Sequence, residues 1–546
     1  MLNLLKKKDF QIEKSKNLLL LLLLIQVNFS FGQDLSYFYG KVVDARTGSP
    51  LAFASIVQKD KSVGLISNDD GSFKIPKYYE VARVTLVISF IGYYSEEIKV
   101  TDLKKNDLNI IKLTERTESL NEIVIKSQPR PLTAHQIVER AIKNIKKNYP
   151  LDPFSYVGYY RDYQKNEEQD YINLNEAILQ VHDRGFRFKD YASTRTNIFK
   201  YEKNLEFPRD SIAAKPYDYR NKTKVIDRVI LGHLSDNANE FTLLRIHDAI
   251  RNYNVNTYDF VNNLEIDFVR NHNFIISKET SIDNVALYEI KFMKEINKVI
   301  ASGEIYISKE DYKIYKFHYS IYEKGRKRRN PVENTFASAM NGKTSPDKLI
   351  FNVIVEYANY NETMYPKYIS FNNPFEVLQP PKFVPTDAQF GFTNYGGPTI
   401  LFVDIIFNNK LDPKKALKKK NYILGYKGNR LRIDSIRVMN DIARVYPNDK
   451  DVQFPKEAWL NGQRLVGKDF SLELKNIKDV DGNVVFKGEM ASFNQYREFF
   501  IQELNTNSQQ PKDTLFMMKN RPFSKNQPIK APKDISKYWM NTPLKE

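Results

Sequence analysis

The 546-residue chain contains no cysteine. That absence removes disulfide staples, thiolate nucleophiles, cysteine metal sites and the lipobox of a lipid-anchored lipoprotein. Histidine is scarce. The six residues His135, His182, His233, His247, His272 and His318 include no His-Glu-x-x-His or comparable ligand spacing, so no metal is expected. There is no Gly-x-Ser-x-Gly elbow, no nucleic-acid-binding motif and no internal repeat of fixed period. No apolar run approaches the roughly 20 residues that a membrane-spanning helix requires.

What is present is positive charge and aromatic side chains. Lys and Arg number 83 against 66 Asp and Glu, for a net charge of +17. Residues 1–32 read as a secretory signal peptide. Lys6, Lys7, Lys8, Lys14 and Lys16 form a basic n-region, Leu18 to Ile25 an apolar h-region, and Phe31-Gly32-Gln33 a cleavage point. Five lysines against Asp9 and Glu13 make this region +3, which leaves +14 for the mature protein. An exported protein with that balance suits anionic lipid, lipopolysaccharide or acidic glycan. Nucleic acid is not expected as a partner. The 34 Tyr and 35 Phe favour sheets over helices, and the length allows about three or four domains.

Residues 34–114 read as a β-sandwich. In the first strand Phe38, Gly40 and Val42 alternate with Tyr39, Lys41 and Val43. Thr47-Gly48-Ser49-Pro50 is a turn. Asp70-Gly71 between Leu65-Ile66 and Phe73-Lys74-Ile75 predicts a hairpin. Val84 to Ile91 is almost wholly apolar and predicts a strand buried on both faces, ended by Gly92. With Gly40-x-Val42-x-Asp44, Pro50-Leu51-x-x-Ala54-x-Ile56, Asp69-Asp70-Gly71-x-Phe73 and Phe90-Ile91-Gly92-Tyr93, the stretch resembles the carboxypeptidase-regulatory-like domain. That is a transthyretin-like sandwich common in envelope proteins of Bacteroidetes-type bacteria. The resemblance implies a non-catalytic accessory, because the module lacks the peptidase zinc ligands. Leu120-Asn121-Glu122-Ile123-Val124-Ile125 resembles the segment that follows this module in TonB-dependent transporters, where a plug and a barrel come next. Here it leads into a linker, 115–132, stiffened by Pro129 and Pro131.

A central region, 133–410, opens with a helix. Thr133 and Gln136 make a capping box, Ala134, Ile137, Val138, Ala141, Ile142 and Ile145 form one apolar stripe, and Pro150 stops it. A large antiparallel sheet follows. Its expected strands are Tyr156 to Gln164, Ile172 to His182, Asn273 to Ser277, Ala286 to Met293, Ala301 to Ser308, Ile314 to Glu323, Ile350 to Tyr357 and Tyr365 to Asn372, with a second helix over Asn239 to Asn252. Gly303 to Ser308, Lys309-Glu310-Asp311 and Ile314-Tyr315 resemble successive strands of the LolA/LolB-like half-barrel. That resemblance implies a sheet wrapped around a helix, enclosing an apolar groove for lipid or acyl chains. Residues 411–430, with Lys414 to Lys420, read as a basic linker. Residues 431–505 read as an Ig-like β-sandwich, on the resemblance of Phe470-Ser471-Leu472-Glu473-Leu474 and Lys478-Asp479-Val480-Asp481-Gly482-Asn483 to the end of bacterial Ig-like domains. Residues 506–546 read as an extended tail. The fold class is therefore mainly β, with two terminal sandwiches around a large sheet.

No catalytic, cofactor-binding or metal-binding residue emerges. His135 and Glu139, one helical turn apart, fit a surface pair better than a metal site. His182-Asp183 and His247-Asp248 are adjacent, which does not bring their side chains together. Asp479 to Asn483 fails as an EF-hand loop, since position twelve is Met490, and reads as a tight turn. The expectation is a non-enzymatic exported binding or scaffold protein of the cell envelope, in the periplasm or at the outer membrane. Envelope or outer-membrane proteins, anionic lipid or lipopolysaccharide are its expected partners. An acyl-ligand carrier using the central half-barrel, and an envelope glycan or peptide hydrolase, are the alternatives.

Overall fold

The computed structural model describes residues 37–59, 61, 63–116, 131–217, 222–225, 239–256, 261, 263–297, 299–324, 348–393, 399–461, 467–508, 511 and 515–544. Residues 1–32, Leu120 to Ile125 and Pro129 lie outside them. The chain divides into two units. One comprises Met1–Arg209, Asp227–Pro374 and Asn494–Glu546, and the other Asp210–Ile226 and Phe375–Phe493. The architecture is mainly β, with few helices.

Strands β1 (Tyr37–Asp44), β2 (Ser55–Gln58), β3 (Gly64–Ile66), β4 (Ser72–Pro76), β5 (Thr85–Ser89), β6 (Glu96–Lys99) and β7 (Asn109–Leu113) form two sheets, ordered β4-β1-β7 and β3-β2-β5-β6. They close over one core that includes Phe38, Val42, Ile56, Phe73 and Ile88. Gly40 is required there, because a Cβ would lie 2.2 Å from the Phe73 ring. The Asn68–Gly71 turn forms as the sequence predicts, but it does not make a hairpin. β3 pairs with β2 and β4 with β1, so the turn carries the chain from one sheet to the other. Local turn chemistry cannot register that choice, which is made by Leu65 and Phe73 entering the same core from opposite sheets. β5 is likewise not buried on both faces. Leu86 and Ile88 are buried, whereas Thr85 and Val87 are half-buried on the other face.

The helix Ala134–Lys143 carries the expected capping box. Thr133 Oγ1 accepts from the Gln136 backbone at 3.2 Å, and Gln136 Oε1 accepts from the Thr133 backbone at 2.9 Å. Its stripe, Ala134, Ile137, Val138, Ala141 and Ile142, is buried. The large sheet contains β8 (Phe154–Lys165), β9 (Tyr171–Asp183), β10 (Arg195–Lys203), β12 (Asn273–Ile282), β13 (Val285–Ile296), β14 (Val299–Ser308), β15 (Ile314–Glu323), β16 (Lys348–Tyr360), β17 (Thr363–Leu378) and β25 (Met490–Asn505). Their order is β10-β9-β8-β25-β17-β16-β15-β14-β13-β12, and β11 (Lys224–Val225) pairs with the end of β17 to make the eleventh strand. β25 occupies a central position, although the sequence reading assigned it to the C-terminal sandwich. Sequence distance hides the pairing: Phe500 sits opposite Tyr159, 341 residues earlier in the chain.

Alternation along these strands gives the sheet two covered faces. On one, Phe292, Phe317, Tyr319, Phe351 and Phe371 run in ring contact across β13 to β17. Phe268 packs on one end of this row, 4.9 Å from Phe292, and His247 on the other, 4.4 Å from Phe371. The acyl groove implied by the half-barrel resemblance would need the space that these rings fill. The other face carries Val157, Tyr159, Ile178, Tyr368 and Phe500, and the N-terminal module packs on it through Ile66 and Phe53.

In the second unit, β18 (Pro385–Thr393), β19 (Ile400–Phe407), β22 (Ile433–Met439) and β23 (Ile442–Pro447) form one sheet. β20 (Tyr422–Tyr426), β21 (Asn429–Leu431) and β24 (Phe470–Leu474) form another. Both contribute to one core with Leu401, Ile405, Tyr422, Leu424 and Val445. Lys414 to Lys420, expected as a linker, runs inside this unit. Ala416 is buried there, and Tyr422 donates to the Ala416 carbonyl at 2.8 Å.

Residues 515–544 have almost no regular structure but are not loose. The backbones of Met517 and Lys530 donate to Thr196 and Ile198 on edge strand β10, each at 2.8 Å. Trp539 then enters the core of the N-terminal module, and its indole donates to the Lys74 carbonyl at 3.0 Å. Asn541 bridges the Lys74 N–H and the Ile66 carbonyl. Met540 packs on the sheet beside Phe500. Trp539→Ala is expected to cost about 3–5 kcal/mol and to accelerate amide exchange in β1 and β4, as read by hydrogen–deuterium exchange. Unchanged protection there would contradict the assignment of Trp539 to that core.

Candidate functional site

The residues that invite a catalytic reading are dispersed. His182 Nε2 lies 2.9 Å from Asn197 Oδ1, while Asp183 faces Arg251 at 2.9 Å. His247 stacks on Phe371, while Asp248 accepts from the Tyr357 hydroxyl at 2.8 Å. In each pair the neighbours turn to different partners. Burial pushes the Asp248 carboxyl up to about 6, against the pull of the Arg251 backbone N–H and Tyr357. His135 is exposed, and Glu139 pairs with Lys143 at 2.8 Å. His272 Nδ1 lies 3.0 Å from the Phe268 carbonyl. His318 comes nearest to a triad, with Glu304 at 3.4 Å and Asn352 at 2.7 Å, but Ser320 also donates to Asn352, at 2.8 Å. The triad instead needs the serine bonded to the imidazole. His233 lies outside the described residues, as does the basic run Gly325-Arg326-Lys327-Arg328-Arg329, whose sequence suits a solvated loop. Among the described residues, no group of three His, Asp or Glu is arranged to hold a metal ion. Asp479 accepts from Asn483 and Asn409 in a tight turn with Gly482 at φ +88°.

The residues that do converge lie where the N-terminal module meets the large sheet. Arg161, with no solvent exposure, pairs through Nε with Glu498 at 2.5 Å and through Nη1 with Asn68 of the module turn. Tyr368 donates to the same Glu498 at 2.9 Å. Beside them Lys165 and Tyr171 both bond Asp69. Burial alone would raise the Asp69 carboxyl, but Lys165 and the Tyr171 hydroxyl outweigh it and hold it below the usual aspartate range. The tight turn that presents Asn68 and Asp69 depends on Gly71, at φ +78°, where a Cβ would also meet the Val42 carbonyl.

A second set of contacts fixes the other side of the module. The Gly92 N–H donates to the Ser281 carbonyl at 2.9 Å, Arg116 donates to the Ser281 hydroxyl at 2.9 Å, and Ser95 donates to Asp283 at 2.8 Å. The Phe90-Ile91-Gly92-Tyr93 motif thus seats on the tip of the β12–β13 hairpin. Val63 also bridges to Glu503 of β25.

Between these two attachments lies an open cleft of about 590 Å³. The module lines it with the outer face of β2 and β5, where Val57 stands opposite Val87 and Ser55 opposite Ser89. The sheet lines it with the β16–β17 hairpin, including Ala358, Tyr360 and Tyr365, with Ile282 and Val285, and with Leu504 of β25. Lys59, Lys61 and Lys367 are its basic members, and Asp283 is its one carboxylate. Preformed volume, largely apolar walls and a few polar groups are the usual attributes of a small-ligand site. Sequence reasoning did not single out these residues. The available signal was Val87, an apolar residue on the module face that a free sandwich would turn to water.

Removing Arg161 leaves Glu498 buried without its charge partner. Arg161→Ala is expected to cost about 3–5 kcal/mol in urea unfolding, and Arg161→Met/Glu498→Leu to recover much of the loss. Equal losses in both variants would argue against a paired charge. Because the Asp69 carboxyl is lowered in the folded state, its contribution is present above the usual aspartate range and is lost as pH falls through the lowered value. Asp69→Asn should therefore flatten the acid limb of a pH–stability curve measured by thermal melting.

No curated protein matches the chain. A solved structure of a DUF1329 family protein from Desulfovibrio piger aligns over 44% of this chain and 87% of that one, at 8% identity and a TM-score of 0.20. Residues 38–125 match the CarboxypepD_reg-like domain model, and the sandwich that forms one wall of the cleft is a CarboxypepD_reg-like domain.

Proposed function

We propose that this chain is a non-enzymatic, exported binding protein of the cell envelope, in which the regulatory-like domain serves as a fixed wall of a ligand cleft. The observation that carries this reading is the attachment of the module on both sides of the cleft, by Arg161 and Lys165 at one side and by Ser281 and Asp283 at the other. A wall held at both margins presents a preorganised surface, which lowers the ordering cost of binding. The cleft lining holds one carboxylate and no histidine, which suits recognition better than acid–base chemistry. Export is supported by the lysine-rich n-region and the run Leu18 to Ile25. Envelope components, including anionic lipid or lipopolysaccharide and outer-membrane proteins, are the proposed partners.

Two measurements test the reading. Fractionation of cells expressing the full chain should recover a processed protein in the periplasmic or outer-membrane fraction, and deletion of Leu18 to Ile25 should retain it in the cytoplasm. Fractionated envelope extract should raise the melting temperature of the wild-type protein but not of Ala358→Trp, which blocks the cleft from an exposed position. Cytoplasmic retention of the intact chain, or equal shifts in both proteins, would overturn it.

A further inference from the structure

The composition of the cleft specifies the kind of ligand it takes. Val57 and Val87 stand side by side on its module wall. Ile282, Val285 and Leu504 face them from the sheet. Such a surface gains by covering an aliphatic chain, and Gln58, Asn359 and Asn361 add amide groups to the same lining. The charged groups sit differently. Lys59 and Lys61 flank the β2–β3 connection at the margin of the cleft, and Lys61 is exposed. Lys59 pairs with Glu97 at 2.7 Å, with both side chains about half exposed, so this is a surface ion pair of the weak, exchangeable kind. Lys367, on the sheet side, lies 3.6 Å from Glu356. Asp283, the one acid of the lining, is engaged by Ser95.

Resting on the binding reading above, we propose that the cleft holds a single acyl chain of a monomeric amphiphile with an acidic head. The chain lies between Val57, Val87, Ile282 and Leu504, and the head meets Lys61 and Lys59. The site is distinct from the face of the large sheet that carries the Phe292-to-Phe371 row, which is occupied by its own rings.

The test is calorimetric titration of the full-length mature protein with dodecanoate, dodecanol and, as hydrophilic probes, maltotetraose and a neutral tetrapeptide. Dodecanoate should bind one to one. Val87→Trp, which fills the cleft, should weaken it at least tenfold. Lys61→Glu should weaken dodecanoate about threefold to tenfold and leave dodecanol unchanged. A diazirine-bearing dodecanoate should label peptides spanning residues 55–61 and 358–367 of the wild-type protein, which keeps the proposal falsifiable if Val87→Trp fails to fold. Dodecanoate binding that survives Val87→Trp, or labelling elsewhere, overturns it. If a hydrophilic probe binds, is lost in Val87→Trp and excludes dodecanoate, the acyl assignment falls and the binding reading stands. If none of the probes binds, both fall.

Discussion

Arg161 has no access to water, so its charge must be answered from inside the protein. The answer comes from Glu498, 337 residues away, and from Asn68, 93 residues away. One guanidinium therefore joins the module turn, the second half of the large sheet and the strand that carries Arg161 itself. Buried ion pairs of this kind contribute little net stability over a well-packed apolar substitute, but a misplaced partner is heavily penalised. The pairing of β8 with β25 and the seating of the Asn68–Gly71 turn each bring one partner to that guanidinium.

The sheet is used on both faces for different purposes. Its aromatic row and the packed helices make one face an interior. The opposite face accepts a separate sandwich through Tyr368, Phe500 and the Arg161 cluster. A module attached along a whole face would leave no opening. This one is attached at two margins, and an open cleft of about 590 Å³ lies between them.

Much of this was legible locally. The capping box at Thr133 and the apolar stripe behind it specify a helix because every determinant lies within a dozen residues. The strand Ile314–Glu323 was read to its ends, since alternation and the Lys309-Glu310-Asp311 turn both mark it. The failures share a cause. The Asn68–Gly71 turn has hairpin chemistry, yet the sheet each neighbour joins is settled by packing across the sandwich. β25 alternates like any strand, and nothing in Met490 to Asn505 states that its partner is Phe154 to Lys165. Val87 was read as core because its neighbours are, and only the docked sheet shows why a valine faces outward there. The cleft was illegible for the same reason: its walls are about 190 to 450 residues apart.

Trp539 fills the core of a module whose own strands end at Leu113. Domains ordinarily fold as units, the N-terminal one first as the chain emerges. Here the module is left with a vacancy until residue 539 has been made. Its completion waits for a residue 426 positions beyond its last strand, which couples the maturation of this module to the integrity of the chain in between.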